Sequence, residues 1–386
     1  MKIAFVHEVN YRTKVVFEMH EFPELLAAAG HDVTFFDYPE GEKGGRLDPS
    51  ARRSNTNRSG TGAPVNLVRP PIHFPGTIGR LLFAAAGWIW LLIELRRLRP
   101  NVVVLYGVPT NGWQTILICR RLNIPVVYRM IDLSHGLRST IFAPLVKRAE
   151  ASVVRGSNLI LSNNAALAEY AASIRGSNED IKVLAPGVKG VDEHEWGTST
   201  CAGSAVVVFM GTLFRFSGLD WFMRSATQND GKLDFKLLVL GDGESRAAFE
   251  QTARELGIGN EIEFRGFIPF ADLNAHLAEA ALAILPFESS EVAELALPGK
   301  VPQYLVGGLP VVSTPLAGLK SFLSDGEGVV YCHPGMEFVQ KVRQLLGDSS
   351  ARESLLKRGR DALSQRASWT SSLASFEDHL KRVANS

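Results

Sequence analysis

FKLLVLGDGESRAAFEQTARELGIGNEIEFRGFIPFADLNAHLAEAALAILPF, residues Phe235–Phe287, decides the fold by its rhythm. Three apolar runs, Lys236–Leu240, Ile262–Arg265 and Ala281–Leu285, are separated by stretches of helical period at Glu244–Leu256 and Ala271–Ala278. Strands that read as continuous apolar runs, not as alternating ones, are covered on both faces, and helices between them make them parallel. The first strand runs into Gly241-Asp242-Gly243-Glu244-Ser245 and then a helix. A glycine pair at such a turn lets a ligand approach the backbone and leaves helix N–H groups exposed. Alone, that turn is structural as often as it is a binding turn.

The same alternation extends in both directions. Downstream, strands are expected at Val311–Ser313 and Gly328–Tyr331 and helices at Val301–Gly307 and Met336–Leu346; upstream lie a strand at Ala205–Met210 and a helix at Gly218–Thr227. The first half repeats the pattern, with strands at Ile3–His7, Val33–Phe36, Val102–Tyr106, Val126–Met130, Leu159–Ser162 and Val183–Ala185. Its helices are Phe17–Ala29, Arg80–Leu98, Ile116–Leu122, Pro144–Val154 and Ala165–Ser173. Glu40–Ala63 has no period and reads as a long loop. Gly187–Ser204, with four glycines and little apolar content, reads as a linker. The expected fold is α/β, two tandem Rossmann-like, doubly wound domains: 1–186, a linker over 187–204, and 205–367. Ligands of such sheets sit at the carboxyl ends of strands, so a deep interdomain cleft is the expected active site.

Composition excludes several classes. Lys and Arg number 41 against 40 Asp and Glu, which gives no net-charge reason for nucleic-acid binding. Cys119, Cys201 and Cys332 are scattered, with no zinc spacing and no disulfide framework, which suits a reducing, cytoplasmic compartment. The run LLFAAAGWIWLLI, Leu81–Ile93, is 13 residues long, short of the roughly 18–20 that span a bilayer. Its favoured reading is a buried helix of the α/β domain. The alternative is an interfacial helix with Trp88 and Trp90 among headgroups and Arg96, Arg97 and Arg99 on anionic lipid.

The stretch quoted at the start resembles the C-terminal domain of the family-4 glycosyltransferases, retaining enzymes of the GT-B fold (glycosyl transferases group 1). FMGTLFRFSGLDWFM (Phe209–Met223) and LPGKVPQYLVGGLPVVSTPLAG (Leu297–Gly318) agree with that domain's first loop and donor helix. SWTSSLASFEDHL (Ser368–Leu380) agrees with a C-terminal helix that returns to the N-terminal domain, here 368–386. ELLAAAGHDVTFFD (Glu24–Asp37) and LILSNNAALAEYA (Leu159–Ala171) carry a weaker likeness in the first half.

The resemblance implies a nucleoside diphosphate sugar as donor, a glycan or lipid-linked glycan as acceptor, no metal or other cofactor, and work at the inner face of a membrane in polysaccharide synthesis. The diphosphate gathers charge as the glycosidic bond breaks, so a cation or a helix end must meet it. The family's Arg and Lys in the first loop are replaced here by Thr212 and Ser217. Arg215 in that loop and Lys300 at the head of the donor helix are the substitutes the resemblance leaves, with backbone N–H groups of Gly211 and of the helix near Lys300 beside them. Each cation also has the ordinary reading of a solvated charge.

Gln303 stands where the family's ribose-binding glutamate would be; its sugar-side glutamate falls at Leu295, where a small gap would bring Glu294, or else Glu291, with a solvated acid as the plain alternative. Gly241 and Gly243 are the binding turn of the donor domain, and the turn Gly266-Phe267-Ile268-Pro269 puts backbone amides beside the nucleobase, a plain strand-to-helix connection being the alternative. In the first domain Asp132 and then His135, in the stretch Ile131–Gly136, are the candidates to touch sugar or acceptor; a helix cap and a surface histidine are the plain alternatives. The first loop, His7–Lys14, lacks the family's glycine pair, and Arg12 and Lys14 there would suit an acidic acceptor. Two other functions stay open: a non-catalytic partner subunit, suggested by the lost cations and glutamates, and a sugar-nucleotide epimerase, disfavoured by nine unclustered histidines. A nicotinamide dehydrogenase lacks its G-x-G-x-x-G after a strand.

Overall fold

The structure, a computed structural model, describes residues 1–42, 44–48, 52–60, 62–135, 142–197, 205–228 and 231–385. Gly136, Cys201 and the linker from 198 to 204 lie outside the described residues.

The chain divides into two compact units, Met1–Pro186 with Thr370–Ser386, and Gly187–Trp369. Each is a Rossmann-like α/β unit. In the first, the strands are β1 (Lys2–Val6), β2 (Asp32–Phe36), β3 (Gly45–Arg46), β4 (Arg53–Thr56), β5 (Val65–Val68), β6 (Ile72–His73), β7 (Val102–Leu105), β8 (Val126–Met130), β9 (Leu159–Ser162) and β10 (Ile181–Val183). Eight of them form one sheet, in the order β10-β9-β8-β7-β1-β2-β5-β4. All its pairs are parallel except β4 with β5. The second unit has β11 (Val206–Met210), β12 (Lys236–Leu240), β13 (Ile262–Gly266), β14 (Leu282–Leu285), β15 (Val311–Ser313) and β16 (Val329–Tyr331), ordered β13-β12-β11-β14-β15-β16 and all parallel. The apolar runs are buried as their sequence requires: Ile3–Val6, Val102–Leu105, Val207–Phe209 and Leu282–Leu285 are inaccessible.

Three elements differ from the sequence expectation. Glu40–Ala63 is not wholly irregular: β3 and β4 lie in it, pairing antiparallel with β6 and β5. The polar run Arg-Ser-Asn-Thr of β4 is an edge strand, so neither face supplies the apolar pattern by which strands are recognised. A further helix, Ser349–Arg366, follows Met336–Gly347. The apolar helix Gly76–Leu98 is the third. It is 23 residues long, and only Gly79, Leu91, Glu94 and Leu95 are fully buried. The favoured buried-core reading of that segment is therefore corrected.

The last helix, Trp369–Ala384, sets Phe376 against Phe22 (4.6 Å between ring centroids) and Phe5 (6.4 Å). Ser372 donates to the Ala185 carbonyl at 2.9 Å, and Glu377 meets His31 at 2.9 Å. The tail is thus part of the first unit's core.

One charge lies at the centre of that core. Arg129, in the middle of β8, has no exposed side-chain surface, and its Nε and Nη2 donate to the two oxygens of Glu18, both at 2.7 Å. Glu18 opens the helix Glu18–Ala28, so the pair ties that helix to the sheet. Removing one partner of a buried pair strands the other without water, at a cost of about 3–5 kcal/mol. Glu18→Ala is expected to lose that much in urea unfolding; a loss under about 1 kcal/mol would show that the guanidinium finds other partners.

Candidate functional site

The second sheet reverses its order between β11 and β14, and ligands of open α/β sheets bind at that reversal, beyond the carboxyl ends of the strands. β11 runs into Gly211 and β14 into Pro286-Phe287. The helix Lys300–Val306 brings Lys300 to this place. Its Nζ lies 4.6 Å from the ring centre of Phe287 and 5.3 Å from that of Phe209. A Cβ on Gly211 would overlap the Lys300 ammonium and push it aside, and Gly211 holds φ at +138°, which L side chains rarely adopt.

Lys300 has no carboxylate partner among the described residues, and burial lowers its pKa from 10.5 to about 8. The helix is anchored by Tyr304, whose buried hydroxyl accepts from Met210 N–H at 2.5 Å.

The glycine turns are stacked on one another. A Cβ on Gly241, where φ is +144°, would run into the Gly211 backbone, and one on Gly243 into Leu213. The cost of this packing is that several amides are spent. Gly211 N–H donates to Leu240 O at 2.8 Å, Gly241 N–H to Gly266 O at 2.8 Å, and Gly243 N–H to Asp242 Oδ1 at 2.8 Å. The expected Gly211 donor is therefore not free. The helix end is poor in donors as well: Val301 N–H serves Pro298 O at 3.0 Å, and Pro302 has none. Thr212 N–H donates to no described group.

The other sequence candidates of this unit surround the same strand ends. Arg215 is exposed on the short turn Arg215–Ser217, whose Ser217 hydroxyl donates to Thr212 O at 3.2 Å. Phe267 is 70% exposed, just past β13. Gln303 is half-buried, one turn along from Lys300. Glu294 accepts from Ser289 at 2.7 Å and from Ala317 N–H at 3.3 Å, so its carboxylate is held in place by two donors.

In the first unit, the reversal lies between β1 and β7. Here His7 follows β1 and Tyr106 follows β7, their rings 5.2 Å apart. Burial drives the His7 pKa down to about 3 and so keeps the ring neutral. Glu8 accepts the N–H groups of Thr110 and Asn111, at 2.5 and 2.9 Å. Asp132, after β8, is half-buried; its pKa rises to about 7, chiefly by burial and then by the Glu18 carboxylate. His135 is turned to Glu150, which accepts from its Nδ1 at 3.2 Å and its backbone N–H at 3.3 Å.

Arg12 donates to Ser54 at 2.8 Å, while Lys14 is exposed. Sequence reasoning missed His7, Glu8, Tyr106, Glu18 and Arg129. Arg129 offered one signal, a charge inside an otherwise apolar strand. Among the described residues no group of three or more His, Cys, Asp or Glu is placed to hold a metal ion.

Because burial disfavours the Lys300 charge, the penalty is present in full below about pH 8 and fades as pH rises toward 10.5, where the unfolded chain also loses the proton. Lys300→Met keeps the alkyl packing and removes the charge. It is expected to stabilise the protein at pH 7 by about 1 kcal/mol or more, a gain that vanishes above about pH 10. A gain independent of pH would contradict the burial account.

Comparison with known proteins agrees with this geometry. Residues 18–187 match the glycosyl transferase 4-like domain and residues 204–348 the domain named glycosyl transferases group 1. A 2-deoxystreptamine N-acetyl-D-glucosaminyltransferase of Niallia circulans is 26% identical over 156 residues, 40% of this chain and 39% of that protein. A lipopolysaccharide core biosynthesis glycosyltransferase of Rhizobium meliloti is 26% identical over 219 residues, 55% of this chain and 61% of that one. The matched segments thus span less than two thirds of either relative. Among solved structures, Anabaena HepE in complex with UDP superposes with a TM-score of 0.74 at 15% identity, covering 99% of this chain and 100% of HepE. Two Rossmann-like units and two matching glycosyl transferase domains, which together span residues 18–187 and 204–348, place the chain in one family: it belongs to the glycosyltransferases of the GT-B fold.

Proposed function

We propose that this enzyme is a retaining glycosyltransferase that extends a glycan or lipid-linked glycan in cell-surface polysaccharide synthesis, working in the cytoplasm at the inner face of a membrane. The observation that carries the donor side is the Lys300 ammonium beside Gly211 at the strand reversal, a cation without a counter-ion among the described residues. A diphosphate supplies the missing charge, and its negative charge grows as the bond from the sugar C1 to the phosphate oxygen breaks. The likeness to HepE, solved with UDP and with UDP-glucose, supports a nucleotide sugar in that place. The Rhizobium meliloti relative acts in lipopolysaccharide core biosynthesis, which supports the acceptor class.

In this reading Lys300 and the Thr212 N–H take the diphosphate, and Arg215, one loop turn away, covers its outer side. Gly241 and Gly243 keep the neighbouring turn low enough for the phosphates to pass. Phe267 stacks beside the base and Gln303 hydrogen-bonds the ribose diol, a neutral contact where a carboxylate would have been stronger. Glu294, already oriented by Ser289 and Ala317, faces the transferred sugar. Asp132 is the polar contact for the acceptor. His135, engaged by Glu150, fixes the loop that carries Asp132.

Two measurements test the assignment. By calorimetry with UDP, GDP and TDP, at least one is expected to bind, and Lys300→Ala to weaken it about tenfold or more, as for a charge-assisted hydrogen bond. Unchanged affinity would remove Lys300 from the site. With a donor that turns over, kcat/KM is expected to rise as pH passes about 7, where Asp132 ionises, and Asp132→Asn to abolish that limb. A profile that the variant leaves intact would exclude Asp132.

A further inference from the structure

The helix Gly76–Leu98 has its apolar side in the wrong place for a soluble domain. A helix apolar all round belongs in a core or against lipid. Over its most apolar stretch this helix has a mean hydropathy of 1.7, yet only 22% of that stretch is buried. The residues turned outward recur at helical spacing: Ile78 (74% exposed), Leu82, Ala85, Ile89 and Ile93 (59%). Trp88 is exposed beside them, whereas Trp90 faces inward, its ring 5.8 Å from that of Phe36.

The helix is long enough to cross a bilayer but is pinned to its domain at both ends. Near its start, Arg80 pairs with Glu40 at 2.8 Å; near its end, Glu94 takes Arg53 at 2.6 and 2.8 Å. Midway, Gln114 of the neighbouring helix donates to Ala84 O at 2.8 Å. It therefore lies along the domain surface.

The exposed charges on this helix from Leu81 on, and on its two neighbours, have one sign. The helices Gly112–Leu122 and Ala143–Gly156 follow on the same side of the sheet, since the connections β5 to β7, β7 to β8 and β8 to β9 all step the same way along it. Across the three helices the only acids are Glu94 and Glu150, both buried, while Arg96, Arg97, Arg120, Arg121, Lys147, Arg148 and Arg155 are all exposed. Trp113 and Leu117 (56% exposed) continue the apolar stripe onto the second helix. A groove of about 1060 Å³ beside it is lined by Leu117, Arg120, Arg148 and Arg155. The excess is local, because the whole chain is balanced at 41 basic to 40 acidic residues.

We propose that this face is an anionic-membrane docking surface. The stripe Ile78–Ile93 with Trp88 enters the headgroup–acyl boundary, and the arginines hold acidic phospholipid headgroups. An apolar stripe alone would fit any greasy partner; the single-sign rim selects an anionic bilayer, since each basic residue near such a surface adds attraction and long arginine stems let the charge reach the headgroups. The inference deepens the membrane part of the proposed function. It rests on the first unit alone and not on the nucleotide site.

The test is flotation of the full chain with phosphatidylcholine vesicles, with and without phosphatidylglycerol. Binding is expected only with phosphatidylglycerol and to fall with added salt. Ile89→Asp, an exposed position, is expected to abolish it. Arg120→Glu with Arg148→Glu is expected to weaken it by at least about tenfold. Brominated lipid is expected to quench Trp88, a loss absent in Trp88→Phe. UDP affinity, measured on the same variants, is expected to be unchanged, which separates failure here from failure of the donor site. Equal binding to both vesicle types, or none, would overturn the proposal. So would a concentration-dependent dimer in solution that Ile89→Asp abolishes, because a second copy would then cover the face.

Discussion

An ammonium held against two aromatic rings and a glycine, with no carboxylate among the described residues to meet it, is expensive for a protein to keep. Burial alone takes Lys300 from 10.5 to about 8, and the ring faces of Phe287 and Phe209 return only part of that cost. Much of the second unit serves to create this position. The sheet reverses between β11 and β14 so that two strand ends diverge there. Gly211 lacks a side chain where the ammonium arrives, and Tyr304 fixes the helix that delivers it. The diphosphate proposed for this place would supply the charge that the protein's described residues do not.

The first unit solves the opposite problem, since it must bury carboxyls without letting them disrupt the core. Glu18 is neutralised by Arg129, Glu8 is wrapped by backbone N–H groups, and Asp132 is left with burial and a neighbouring carboxylate, both of which raise its pKa. His7, uncharged at any ordinary pH, adds a polar surface without a further positive charge. The two units therefore carry complementary chemistry: a cation short of a partner in one, and an acid short of one in the other.

The parallel strands were legible because a strand covered on both faces has nowhere to put a polar residue, and Val102–Leu105 or Leu282–Leu285 announce that directly. The edge strand Arg53–Thr56 was not, since its pairing is carried by backbone groups and its side chains are polar on both faces. Lys300 could be singled out from its place at the head of a helix. That Gly211 would spend its N–H on Leu240, and that Val301 and Pro302 would leave the helix end with little to donate, depended on backbone geometry that no residue pattern encodes. The helix Gly76–Leu98 was misread for a simpler reason: apolar character says that water is avoided, not whether protein or lipid replaces it.

The ionisation of Lys300 itself gives the most direct test. With the lysine side chains labelled at Nζ, the resonance that disappears in Lys300→Met can be titrated in the free protein and again with a saturating amount of whichever of UDP, GDP and TDP binds. The account predicts a pKa near 8 in the free protein, rising to or above the ordinary 10.5 once the diphosphate is bound. A free-protein value already near 10.5, or one near 8 that the bound diphosphate does not move, would contradict it.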